Sequence, residues 1–159
     1  MKDKFTLLVA EDSETDLLLL RYAVSELGEG VDFQVTRHGG AVISYLLGED
    51  EFCDRQQHPA PDLIMMDLKM PGLSGLDVLR WLQGRTDFAH IPRIIMSGSS
   101  LKTDAEDCYT HGADNYFIKP TTLPELRTLI RQIVGYWSRS PGRSQVSPGD
   151  SGPRGGLHL

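Results

Sequence analysis

Five residues of this chain carry side chains suited to charged oxygen groups, and each follows an apolar run. Glu11 and Asp12 follow FTLLVA, Asp67 follows DLIMM, Ser97 follows RIIM and Lys119 follows NYFI. Two adjacent carboxylates where a strand leaves a core are a poor arrangement by themselves: unit charges ~4 Å apart repel by ~4 kcal/mol at an effective dielectric near 20. A third carboxylate at the same place demands a cation. All-oxygen ligation selects a hard dication such as Mg2+, and Lys119 brings a second positive charge. A metal held by carboxylates, with one carboxylate free to attack, an ammonium and a hydroxyl, suits the uptake of a phosphoryl group. Cations neutralise the phosphoryl oxygens, the hydroxyl donates a hydrogen bond and the carboxylate oxygen attacks in line, leaving an acyl phosphate.

Elements that deliver these residues together are readable from the hydrophobic pattern. Candidate strands are Phe5–Ala10, Asp32–Arg37, Asp62–Met66, Arg93–Met96 and Asn115–Ile118. Four are nearly continuous apolar runs, as strands covered on both faces should be, whereas DFQVTR alternates and reads as an edge. Helix-period segments lie near Thr15–Leu27, Ala41–Leu47, Gly75–Gln83, Lys102–Thr110 and Leu123–Trp137. Ser13 with Asp16, Ser74 with Asp77 and Thr122 with Glu125 have capping-box spacing, and Gly112 stands where a helix stop belongs. Strand and helix alternating five times predict a doubly wound parallel α/β sheet with right-handed crossovers. In such a sheet ligands gather at the carboxyl ends of the strands, where all five residues fall.

Composition narrows the function classes. At 159 residues and 40% hydrophobic, the chain is long enough for one good core and short for two domains. A net charge of −6 gives no broad footprint for nucleic acid. Cys53 and Cys108 form no CxxC pair and fit a reducing compartment. The N-terminal apolar run meets acids within six residues, too soon for a secretory signal or a membrane span, so a cytoplasmic protein with no membrane partner is expected. Gly48–Pro61 is a long polar connection, either a functional surface loop or a mobile one. Residues 138–159, rich in Ser, Gly, Pro and Arg, are expected to be a disordered tail after a single domain over 1–137.

The stretches LLVAEDS, PDLIMMDLKMPGLSGLDVLRWL, IPRIIMSGSS and GADNYFIKP, in this order, resemble the response-regulator receiver domains of two-component signalling. The resemblance covers roughly Phe5 to Trp137. YLLGEDEFCDRQQHPAPDL and the terminal YW look more like the small stand-alone regulators that partner phytochrome-type histidine kinases. The family implies a flavodoxin-like fold, five parallel strands in order 2-1-3-4-5 with five helices. It implies Asp67 as phosphoacceptor, with Asp12 and Asp67 binding Mg2+ directly, Glu11 through water and Lys69 through its backbone carbonyl. Lys119 would pair with the phosphoryl group, Ser97 would hydrogen-bond it, and Tyr116 would change rotamer with Ser97. Pro120 sits where the family has a cis proline. Lys69, Gly98 and Ser99 stand at positions that tune phosphoryl lifetime in the family, and the lifetime is left open.

The resemblance implies a phosphoacceptor for a sensor histidine kinase, not a true enzyme, with only self-catalysed phosphotransfer and autodephosphorylation. Output then passes through another protein, or through a homodimer on the face of the fourth helix, fifth strand and fifth helix. Three rival readings draw on the same residues. An aspartyl phosphatase of the haloacid dehalogenase type needs a second Asp two residues after the first, where Lys69 stands. A flavin-nucleotide carrier needs a phosphate cradle after the first strand, where Glu11 and Asp12 repel phosphate. A constitutive docking module keeps the fold and drops the phosphorylation. Met65, Met66, Met70 and Met96 read as core fillers, and the five histidines, without ligand spacing, as surface or capping residues.

Overall fold

The computed structural model describes residues 3–140 and Gly142. Five parallel strands, β1 (Phe5–Ala10), β2 (Val31–Thr36), β3 (Leu63–Met66), β4 (Arg93–Ser97) and β5 (Asn115–Ile118), form one sheet in the order β2-β1-β3-β4-β5. Five helices alternate with them: α1 (Glu14–Ser25), α2 (Gly39–Leu47), α3 (Gly75–Gln83), α4 (Lys102–Thr110) and α5 (Leu123–Arg139). The expected flavodoxin-like doubly wound architecture is the one observed.

Period-two alternation splits the strands between two cores. Leu8, Ala10, Ile64, Met66 and Ile95 face one side with residues of α2, α3 and α4. Leu7, Val9, Met65, Ile94 and Met96 face the other with α1 and α5. Both sets are almost completely buried, and such burial is the main term that holds helices onto a sheet. The methionines at these positions are core fillers, as their placement in the runs suggests. β2 pairs only with β1 and its residues are mostly half-buried, so the alternating segment is an edge. No helix of the described residues is long and apolar enough to cross a membrane.

Element ends differ from the sequence reading for local reasons. α2 starts two residues early because the His38 ring nitrogen Nδ1 accepts the Ala41 N–H at 3.1 Å, a cap outside the Ser/Thr/Asp/Asn set. α5 runs two residues past Trp137, so Ser138 and Arg139 are helical; beyond Ser140 and Gly142 the expected disordered tail lies outside the described residues. At Ser74 the capping box is complete, and Gly112 follows α4 at φ +94°. Among the described residues no peptide bond is cis, so Lys119–Pro120 is trans, unlike the cis bond that the family resemblance implies. The Lys119 backbone is fixed instead by its N–H, which donates to the Ser97 carbonyl at 2.8 Å.

The long connection Gly48–Pro61 is packed down. Gly48 closes α2 in the left-handed region, at φ +68°. Arg55 then reaches back over that helix end, donating to the carbonyls of Tyr45 and Leu46, both at 2.8 Å, and to that of His58 at 3.1 Å. Phe52, on a short 3-10 turn, is buried against the rings of Tyr45 and His58. The Tyr45 hydroxyl donates to the Pro59 carbonyl at 2.8 Å, and burial pushes its ionisation well above the ordinary range.

Candidate functional site

The sheet presents the candidate residues from neighbouring strands along its carboxyl edge. Glu11 leaves β1 with its N–H donating to Thr36, Asp67 leaves β3 with its N–H donating to Ala10, and Ser97 ends β4. These backbone bonds continue the ladders past the last strand residues, so the side chains inherit the sheet's rigidity.

Lys119 lies at the centre. Its Nζ contacts Asp16 Oδ2 at 2.7 Å, Glu11 Oε2 at 2.9 Å and Asp67 Oδ2 at 2.9 Å. An ammonium has three N–H donors; Asp16 and Asp67 each accept one, and Glu11 pairs with the charge. Glu11 is only 2% exposed; burial raises its carboxyl above the usual range, and the Lys119 and Ser13 hydrogen bonds only partly offset this. Lys119 moves up too: burial alone would lower it, but bonds from Asp16, Asp67 and Glu11 outweigh that. The two directions agree physically, since one ammonium divided among three carboxylates is fully satisfied while each partner is served only in part.

Glu11, Asp12 and Asp67 each place a carboxylate oxygen within 4.8 Å of the others. Asp12 is exposed, so the group opens to solvent on one side and is walled by the sheet on the other. Lys69 follows Asp67 closely enough for its N–H to approach Asp67 Oδ1 at 3.4 Å, while its side chain is exposed. Three hard oxygen donors at one open-sided place are a donor set that fits a magnesium-class ion. A cavity bordered by Asp16, Asp67 and Lys119 is also lined by Leu19, Leu20, Met65, Met96 and Leu126.

Ser97 is buried, and its Oγ accepts the Ser99 N–H at 3.1 Å. The Ser99 hydroxyl donates in turn to Asp104 on α4, and the Tyr116 hydroxyl donates to the Ser99 carbonyl at 2.8 Å. Ser97 and Tyr116 therefore meet through Ser99, a half-buried link between the acidic pocket and the α4 side of the molecule. The backbone N–H of Tyr116 is itself held by the Tyr109 hydroxyl at 3.0 Å.

All five residues singled out by type and spacing thus come to one rim. A model of the response regulator receiver domain matches residues 7–131, most of the chain and a span that includes these positions. The chain belongs to the response regulator receiver family. Among solved structures this receiver is similar to the response regulator RPA3017 in red light signaling of R. palustris, with a TM-score of 0.81 and 27% identity, covering 89% of this chain and 99% of that one. It is also similar to the bacteriophytochrome response regulator RtBRR, with a TM-score of 0.69 and 25% identity over 94% of this chain and 85% of the other. A curated relative, the polar-differentiation response regulator DivK of Brucella anthropi, is 29% identical over 130 residues, 82% of this chain and 96% of its own. The structural neighbours of this receiver include phytochrome-associated regulators, which agrees with the narrower resemblance read from its sequence.

Asp16 is the residue that sequence reading misses. Its spacing from Ser13 assigns it to a capping box, and its backbone N–H does donate to Ser13 Oγ at 3.3 Å. Its carboxylate goes elsewhere, because the Ser13 N–H is taken by Glu11 Oε1 at 3.0 Å. No helical spacing points to it, since Asp12 precedes the Ser13 N-cap and lies off α1.

Proposed function

We propose that this receiver accepts a phosphoryl group from a sensor histidine kinase onto Asp67, with Mg2+ held by Asp12, Asp67 and the Lys69 carbonyl and Glu11 acting through water. The single observation that carries this reading is the position of Asp67: a nearly buried carboxylate at a strand end, one oxygen bonded to Lys119 and three acidic side chains clustered there. A bound dication would supply charge neutralisation at the phosphoryl oxygens.

The chain's own residues do the rest. Asp67 offers the attacking oxygen; a P–O bond forms as the P–N bond of the donor phosphohistidine breaks, and the leaving imidazole nitrogen keeps the electron pair and takes a proton. Lys119, already 2.9 Å from Asp67, lies within reach of the negative charge that arrives with the phosphoryl group. Ser97, at the end of the adjacent strand, turns its hydroxyl toward that group, and Tyr116 follows because the two share Ser99. This rearrangement biases the face of α4, β5 and α5 between two states, through which the receiver binds a downstream protein or a second copy of itself. Moving such an equilibrium from about 1:99 to about 99:1 takes about 5.5 kcal/mol, within the reach of a few charge-assisted contacts. The likeness to red-light and bacteriophytochrome regulators supports a phytochrome-type kinase as the donor.

Incubation with Mg2+ and acetyl phosphate tests the reading. Intact-mass measurement should show one acid-stable, base-labile phosphoryl group, absent in Asp67→Asn and absent when the dication is chelated. An unmodified wild-type chain would instead leave a constitutive docking module.

A further inference from the structure

Lys119 has three carboxylate partners, and only two of them belong to the cluster suited to a metal. Glu11 and Asp67 are members; Asp16 is not, yet its contact at 2.7 Å is the shortest of the three. Capping does not explain where this carboxylate goes. Its side chain is not needed to cap α1, since Ser13 Oγ serves the Asp16 N–H and Glu11 serves the Ser13 N–H. It is more exposed than its partners, with 38% of its side chain accessible against 3% for Glu11 and 11% for Asp67. Asp16 therefore accepts one N–H of Lys119 and Asp67 accepts another before any phosphoryl oxygen reaches the ammonium.

We propose that Asp16 is a resting-state latch on Lys119, a positioning residue that competes with the incoming phosphoryl group for the ammonium and so restrains phosphorylation of Asp67. The inference rests on the function proposed above. Two consequences of Asp16 act in the same direction. Its carboxylate occupies a donor that the phosphoryl oxygens require, and its charge adds a fourth acid to a pocket that an anionic group must enter. Removing it should favour the phosphorylated state, contrary to the loss expected from removing a carboxylate that holds the metal.

Binding of beryllofluoride, a non-transferable mimic of the acyl phosphate, reads this directly. Calorimetry on the full chain with Mg2+ should give about threefold to tenfold tighter binding for Asp16→Asn than for wild type, the scale of one partly exposed charge-assisted contact. Acetyl phosphate should label Asp67 faster by a similar factor. Glu14→Gln controls for charge alone, since Glu14 is two residues away on the same helix and pairs with Arg37 instead of Lys119. That variant should stay within about twofold of wild type, the effect expected of a screened surface charge. Asp16→Ala serves as a second variant if Asn disturbs folding, and should tighten binding likewise. Unchanged or weaker binding in the Asp16 variants overturns the latch while leaving phosphorylation of the wild type intact; equal tightening in Glu14→Gln reduces it to net charge and also overturns it. A wild-type chain that neither binds beryllofluoride nor takes up phosphoryl removes the underlying function and the latch with it.

Discussion

At the scale of single residues, the two cysteines show how position sets reactivity. Cys53 is exposed and free, whereas Cys108 is buried on α4, where desolvation first and then Asp104 and Asp107 push its thiol up to about 12. The folded value lies above the ordinary 9.0, so stability tied to this thiol is present below 9.0 and is lost as pH rises toward 12. At mildly alkaline pH a thiol reagent should therefore modify Cys53 rapidly and Cys108 only on unfolding, and Cys108→Ala should flatten the alkaline decline in stability. Thiol quantification with and without denaturant, and melting curves across the alkaline range, check both. The site residues themselves are legible because chemistry-bearing types at strand ends are few, and Glu11, Asp12, Asp67, Ser97 and Lys119 all lie there. Asp16 is not, because a capping-box spacing explains its position so well that nothing in the sequence asks where its carboxylate goes.

At the scale of elements, α3 couples folding to the backbone at Asp67. Its N-terminus packs so closely that a Cβ on Gly75 would lie 2.5 Å from the Asp67 carbonyl oxygen and 3.2 Å from the Leu68 Cα. Backbone cannot yield as a flexible side chain can, and overpacking of this kind costs about 1–3 kcal/mol. The neighbouring Ser74 caps the same helix, and its loss should cost about 1 kcal/mol without pressing on the strand. Urea denaturation should show both Gly75→Ala and Ser74→Ala destabilised, while acetyl phosphate labelling of Asp67 slows only in Gly75→Ala. Strand and helix existence is readable throughout from period and burial. Boundaries are not, where an unusual cap such as His38 decides them, or where α5 runs on past buried Trp137 through exposed Ser138 and Arg139.

At the scale of the whole molecule, alternation of elements predicts a doubly wound sheet, but the order 2-1-3-4-5 comes with the family resemblance; nothing in the local patterns selects which strands are neighbours. The same gap leaves Gly48–Pro61 undecided in sequence between a functional and a mobile loop, since its anchors are spread along the chain. One guanidinium, that of Arg55, holds three carbonyls from the end of α2 and from His58. Trypsin requires a basic side chain in its specificity pocket and an extended backbone on either side. The bond after Arg55 meets neither demand while the loop stays closed, despite its place in a long surface connection. Limited digestion should spare that peptide bond in the native chain. Tyr45→Phe, which removes only the hydroxyl that ties Pro59, should accelerate cleavage there. The nick rate at Arg55 is thus a gauge of how often the loop lifts from the sheet edge, independent of any phosphoryl chemistry at the opposite rim.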